Sequence, residues 1–226
     1  MHPNAQKKRL YPLLANGAVA SEEQLRRAGL WRGAVLQNLP MRVVSMATHG
    51  KGTVSPVNCV ALKAETLGQH SRVLGHQVGM FELRGRRPLP VGYTWVQALQ
   101  VGSTGRYSRP DWLVLDQREA MPTICAAVEI DITYGRADVE AKLLGAAEMG
   151  YRGYMLGTVF HDRVDWFVRL AGALARAGRL PGVEWVEAHF LNTWTATDPY
   201  GPRPRCRKLN SSAWQLRAGG QRPSAE

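Results

Sequence analysis

The sequence predicts an α/β protein, more narrowly α+β, with a small helix-and-hairpin part followed by helices and strands around a mixed sheet. Three observations predict it. Residues 1–68 place short helical segments ahead of two apolar runs of strand length. Residues 69–195 alternate apolar runs with segments of helical periodicity. Two of those runs are bordered or interrupted by acids, Asp111 on one and Glu129 with Asp131 on the other.

In the first part, residues 7–17 read as a short helix or turn stopped by Gly17. Ser21-Glu22-Glu23-Gln24 has the form of a capping box, with Ser21 accepting from the backbone of Gln24 and Gln24 reaching back. The helix it opens should run to about Gly29. A second helix is expected from Trp31 to Leu39, closed by Pro40. Met41–Thr48 and Pro56–Leu62 read as strands joined by the Gly50-Lys51-Gly52-Thr53 turn. Helices followed by a hairpin is the order of a winged helix. In that reading the Leu30–Asn38 helix recognises DNA through Arg32, Gln37 and Asn38, with Lys51 on the wing.

The second part opens with a helix from Ser71 that carries Leu74, Val78 and Phe81 and ends in the Arg84–Pro88 turn. Strands are expected at Val91–Val101, Trp112–Leu115 and Ile124–Thr133. A helix follows over Ala137–Met149, with Val139, Leu143, Leu144 and Ala147 as its apolar stripe. Tyr151–Phe160 is the next strand, Val164–Ala177 an amphipathic helix, and Val183–Leu191 a last strand. Trp112, Trp166, Trp185 and Trp194 stand at apolar positions and read as core. Residues 196–226, rich in Pro, Gly, Arg and Ser, read as a flexible basic tail whose Arg203, Arg205, Arg207 and Lys208 add phosphate contacts.

Charge narrows the partners. The chain has 226 residues and a formal charge of +11. The excess is +6 over residues 1–70, +1 over 71–195 and +4 over 196–226. Basic ends around a nearly neutral centre point to a polyanion, with DNA the expected partner. No run approaches the roughly 18–20 apolar residues of a membrane span, so no membrane association is expected. Cys59, Cys125 and Cys206 are scattered and lack metal-ligand spacing, which predicts a reduced, cytoplasmic setting. His49, His70, His76, His161 and His189 are likewise unclustered and read as structural or surface residues.

The acids carry the chemistry. Alternate strand residues share a face, so Glu129 and Asp131 point the same way with Ile130 turned opposite. Carboxylates inside an apolar sheet need a compensating cation or donors. A divalent metal held by Asp111, Glu129 and Asp131 would meet that need, and such a metal points to phosphate chemistry. Glu82 reads as a solvated helix-end acid, and Asp116 and Glu119 as solvated turn residues.

With the acids at Pro110-Asp111 and Glu129-Ile130-Asp131, the element order resembles the restriction-endonuclease-like αβββαβ core of the PD-(D/E)xK nucleases. Those domains follow Pro-Asp with a Glu-x-Lys; here Asp131 stands where the Lys is usual. More narrowly, Val73-Leu74-Gly75-His76, Arg109-Pro110-Asp111 and Val128-Glu129-Ile130-Asp131, behind a winged helix, are similar to replication-relaxation proteins of bacterial plasmids and mobile elements. The resemblance implies a DNA-binding domain at 1–68, a nuclease-like domain at 69–195 and a tail at 196–226. It implies a metal-dependent endonuclease using Mg²⁺ or Mn²⁺. Asp111, Glu129 and Asp131 would ligate the ion, the Ile130 carbonyl would add an oxygen, and Lys142 from the next helix would orient the attacking water. Glu82 and Gln100 stand where some relatives add a polar group. Symmetric double-strand cutting would require a homodimer, and replication or mobile-element proteins are the other implied partners. The missing Lys after Glu129 supports the alternative of a non-catalytic DNA-binding replication or regulatory factor on an inactivated nuclease fold.

Overall fold

A computed structural model describes residues 3–30, 38–48, 53–98, 109–118, 120–200 and 209–216. The chain forms two compact units, each discontinuous in sequence: Met1–Arg86 with Leu191–Cys206, and Arg87–Phe190 with Arg207–Glu226. The architecture is mixed α+β, with an antiparallel three-stranded sheet and a mixed six-stranded one. No helix among the described residues is long and apolar enough to cross a membrane.

The first unit begins with α1 (Pro3–Leu14), a 3₁₀ turn (Ala15–Gly17), β1 (Ala20–Ser21) and α2 (Glu22–Arg27). The Ser21–Gln24 capping box forms as its spacing predicts. Ser21 Oγ accepts from the Gln24 amide at 3.1 Å, and Gln24 Oε1 accepts from the Ser21 amide at 2.7 Å. The hairpin of β2 (Met41–Ala47) and β3 (Val54–Val60) pairs Val44 with Val57 and Met46 with Ser55, and β1 adds to its β3 edge, giving the order β1-β3-β2. Strand alternation covers both sheet faces. Val44, Met46, Val57 and Cys59 pack with Leu67 of α3 (Ala64–Leu67) and with Leu74 and Val78 of α4 (Ser71–Arg86). Val60 and Ala20 turn the other way, onto Leu10, Leu14, Leu25 and Leu30. Burial pushes the Cys59 thiol up to about 12, so it is inert packing at neutral pH.

Helix α4 belongs to this first unit by its contacts, whereas the sequence reading placed the boundary before it. A polar network explains the difference. Gln24 Nε2 donates to the Val78 carbonyl and to Glu82, each at 2.9 Å, and Arg27 donates to Glu82 at 2.6 Å. Tyr200 donates its hydroxyl to the other Glu82 oxygen, and Arg27 also donates to the carbonyls of Asn192 and Thr195. Glu82 is therefore a buried acceptor, not the solvated helix-end acid expected from sequence. Its position on the α4 stripe does not reveal the partners, because three of them come from α2 and from beyond residue 190.

The second unit is built on the sheet β4 (Tyr93–Gln97), β5 (Trp112–Asp116), β6 (Thr123–Asp131), β7 (Gly153–Thr158), β8 (Trp185–Phe190) and β9 (Ser211–Gln215), hydrogen-bonded in that order. β4, β5 and β6 run antiparallel in sequence; β6, β7 and β8 are parallel; β9 is an antiparallel edge. Parallel neighbours require crossovers, supplied by α5 (Arg136–Glu148) and α6 (His161–Arg176). Both crossovers step the same way across the sheet, so the right-handed rule sets both helices on one face. All of β7 is buried, as a central parallel strand should be.

Strand β9 corrects the expectation of an unbroken flexible tail. Ser211-Ser-Ala-Trp-Gln shows little alternation, and the strand is fixed by tertiary packing. Its Trp214 ring lies against Gly172 of α6, where an added Cβ would come within 1.7 Å of the ring. On β8, Glu187 accepts from Arg87 Nε at 2.8 Å and Nη2 at 3.0 Å and lies 3.2 Å from His189 Nε2. Burial raises the Glu187 carboxyl, but the His189 and Arg87 hydrogen bonds outweigh it and leave the carboxyl at about 2. Asp116, expected in a solvated turn, ends β5 and is clamped by Arg118.

Two outcomes are expected. Gly172→Ala should lower the urea midpoint by an amount equivalent to about 1–3 kcal/mol, since overpacking exceeds the gain in helix propensity, with a changed near-ultraviolet Trp spectrum. The stabilisation from Glu187 should be full above its unfolded value of about 4.5 and fade as pH falls toward about 2. Urea midpoints of wild type and Glu187→Gln should therefore differ at pH 6 and converge near pH 2–3.

Candidate acid site on the central sheet

Strand β6 creates the site by its alternation. Ala127, Glu129 and Asp131 share one face, and the parallel register sets Tyr154, Leu156 and Thr158 of β7 beside them. On the other side Trp112 is opposite Val128, so continuing the antiparallel register brings Asp111 opposite Glu129. Asp111 Oδ2 accepts the Ile130 amide at 2.8 Å, which fixes the carboxyl at the start of β5. The Pro110-Asp111 and Glu129-Ile130-Asp131 segments thus meet across one pair of strands.

Lys142 faces inward. Its Nζ donates to Glu129 Oε2 at 2.8 Å and lies 4.8 Å from the centre of the Tyr134 ring. The lysine side chain is 11 % exposed and the glutamate 2 %. Helix geometry allows this beside Leu143 because Lys142 sits between Val139 and Ala146 at the margin of the buried stripe. Burial pushes the Glu129 carboxyl well above the usual carboxylate range; the neighbouring Asp111 adds to the rise and Lys142 opposes it.

Asp131 shares the face but has partners of its own. Arg163 of α6 forms an ion pair with Oδ2, Thr158 Oγ1 donates to the same oxygen at 3.0 Å, and the Tyr134 amide donates to Oδ1 at 3.1 Å. Burial nevertheless raises its carboxyl, with Arg163 opposing. Among the described residues no group of three His, Cys, Asp or Glu side chains gathers closely enough to hold a metal ion. The arrangement is a carboxyl pair, Asp111 and Glu129, with Asp131 alongside as a separately neutralised neighbour.

Asp131 pairs with Arg163, and Glu129 pairs with Lys142 beside the Asp111 carboxyl. A second positive charge, from a shared proton or a bound cation, balances two ionised carboxylates at close quarters. The donor set is hard oxygen, which suits Mg²⁺ or Mn²⁺ held through one or two carboxylates and waters. A further polar group stands on the same face: the hydroxyl of Tyr154, 1 % exposed, has no hydrogen-bond partner among the described residues.

Arg163, Thr158, Tyr134 and Tyr154 are absent from the sequence reading. A signal exists for Arg163, a cation one step from Val164 and four from Phe167 in an otherwise apolar stripe. Of the expected DNA contacts, Asn38 lies in a turn just before Pro40, while Arg32, Gln37, Lys51, Arg203, Arg205, Arg207 and Lys208 fall outside the described residues, as do Gln100 and Glu119. A cavity of about 590 Å³ opens on the opposite face of the sheet, over Val114, Met155 and Trp185. Its arginines, Arg87, Arg118 and Arg152, each pair with a carboxylate, so it presents no unmatched positive charge to a phosphate.

Comparison with protein-family models, with curated proteins and with solved structures found no match.

Breaking the Lys142–Glu129 pair should be costly, because a buried carboxylate is left without its cation. Lys142→Met should lower stability toward the roughly 3–5 kcal/mol typical of such losses, limited by protonation of Glu129. The double variant Lys142→Met/Glu129→Gln should recover most of it. Urea midpoints of all members of the cycle give the coupling directly.

Proposed function

We propose that the chain is a DNA-binding protein whose second unit hydrolyses phosphodiesters with Mg²⁺ or Mn²⁺. The observation that supports this reading is the Asp111–Glu129 carboxyl pair, brought together across β5 and β6 with Lys142 donating to Glu129. The strand order around it and the Pro-Asp and Glu-x-Asp spacing agree with a PD-(D/E)xK-like core of the replication-relaxation type. In the first unit, helices ahead of a β1-β3-β2 sheet agree with a winged helix. The basic excess at both ends of the sequence supports DNA as the partner.

In this reading Asp111 and Glu129 hold the cation, which when bound polarises the phosphate and neutralises charge that develops on it. Lys142 orients the attacking water against Glu129, and its ammonium offsets negative charge at the phosphorus. The water oxygen bonds to phosphorus, the P–O bond to the leaving sugar oxygen breaks, the water proton passes to Glu129, and solvent protonates the leaving oxygen. Asp131 buttresses: with Arg163 and Thr158 it fixes the end of β6 and leaves Glu129 its position.

The engagement of Asp131 favours a second reading, a non-catalytic DNA-binding replication or regulatory factor on the same fold. Supercoiled plasmid and single-stranded circles, incubated with Mg²⁺, Mn²⁺ or EDTA, separate the two. Metal-dependent nicking should fall on the order of a hundredfold or more in Asp111→Asn and Glu129→Ala, with DNA binding retained. Equal DNA binding by all forms with no cutting would select the non-catalytic reading.

A further inference from the structure

The three-stranded sheet of the first unit ends on β2, and no described residue pairs with the outer edge of that strand. The ladder fixes which residues face outward. Thr48 donates to the Thr53 carbonyl at 3.1 Å and Ala61 to the Pro40 carbonyl at 3.3 Å. In β2 the even-numbered residues therefore turn their main-chain groups toward β3. Met41, Val43, Ser45 and Ala47 turn their N–H and C=O groups away from the sheet. Their side chains share one face, on which Met41 is 45 % exposed and Val43 63 %.

Edges of this kind are normally guarded, by a charge, a proline, a bulge or the shortness of the strand. The opposite edge of the same sheet has such a guard, since β1 spans only Ala20–Ser21. β2 has none. It runs for seven residues in unbroken register with β3 and contains no proline and no acid. Its one charged residue, Arg42, is turned aside, donating Nη1 to the Leu67 and Gln69 carbonyls at 2.7 Å each. The chain carries a formal charge of +11, yet the outward residues of this edge are neutral. Two copies can meet here without like charges directly opposed.

We propose that the β2 edge is a dimer interface, at which a second copy of the chain pairs antiparallel about a two-fold axis at Val44. That register sets Met41 opposite Ala47 of the second copy and Val43 opposite its Ser45. Every outward N–H then meets an outward C=O, and the two sheets become one. An antiparallel edge is complementary to itself, as the interface of a two-fold dimer must be. The two Val43 side chains become diagonal neighbours across the axis and add apolar contact to the ladder. The pairing stands on the first unit and is independent of the acid site. It also gives the first units the two-fold symmetry of an inverted-repeat DNA site, a consequence that rests on the DNA-binding reading.

The test measures mass by sedimentation over a range of concentrations, and exchange of single main-chain amides by NMR. It uses the full chain as wild type, Val43→Lys, Ser45→Pro and Val54→Lys. Wild type should dimerise, and its Met41, Val43, Ser45 and Ala47 amides should exchange more slowly as concentration rises. The Arg42, Val44 and Met46 amides should stay protected throughout. Val43→Lys, at an exposed side chain, should raise the dissociation constant about tenfold or more by setting two charges beside the axis. Ser45→Pro removes one outward donor and no bond to β3, so it should weaken the dimer as much while melting near wild type. Val54→Lys, on β3 and 59 % exposed on the same face, should dimerise as wild type does. Equal loss of dimer in Val54→Lys would overturn edge pairing in favour of contact through the apolar face. A dimer that persists in both Val43→Lys and Ser45→Pro would put the interface elsewhere. A wild type that stays monomeric at the highest concentration reached would also overturn the proposal. Fast outward amides in that monomer would leave the edge to a strand of another protein, and slow ones would show it covered within the chain.

Discussion

Carboxylates in the middle of a sheet impose the central constraint on the second unit. β6 places Glu129 and Asp131 on one face, each nearly without solvent, and each needs a cation that its own strand cannot supply. The parallel neighbours β7 and β8 meet the need through their connections. A parallel strand pair requires a crossover, the crossover here is a helix, and each helix delivers one cation: Lys142 from α5 and Arg163 from α6. Topology and electrostatics are therefore two descriptions of the same arrangement. An antiparallel hairpin at these strands would leave the acids uncovered.

The two acids differ in what surrounds them. Asp131 has a guanidinium, a hydroxyl and a backbone amide, a full complement for one carboxylate. Glu129 has a lysine and a carboxyl neighbour, Asp111, whose own anchor is the Ile130 amide. The first pair holds the strand end. The second brings two carboxyls and a lysine together, the grouping on which the proposed site is built.

Much of this was legible in the sequence because local rules governed it. The Ser21–Gln24 box depends on four consecutive residues, and the period-2 face of Glu129 and Asp131 is fixed once β6 is a strand. Lys142 was legible as a cation in reach, but its direction was not, since Leu143 and Leu144 beside it blur the stripe. The misses share a cause: their partners are distant in sequence. Glu82 is buried by Gln24, Arg27 and Tyr200. Arg163 is turned inward by an acid 32 residues earlier, and Tyr154 is set on the acid face only by the register that pairs it with Ala127. β9, with Trp214 as its one large apolar residue, is recruited by the bare helix surface at Gly172.

The discontinuity of the first unit bears on how the protein is made. Its core takes in Trp194, and its buried network closes only when Arg27 meets the carbonyls of Asn192 and Thr195 and Glu82 receives the Tyr200 hydroxyl. The residues that need these partners leave the ribosome first; the partners leave after all of Arg87–Phe190. Helices α2 and α4 can pair early through Gln24, but Glu82 and Arg27 wait for their remaining partners until the second unit's central strands have been synthesised. The part that emerges first therefore cannot close until most of the chain has been made, and the second unit waits in turn for β9.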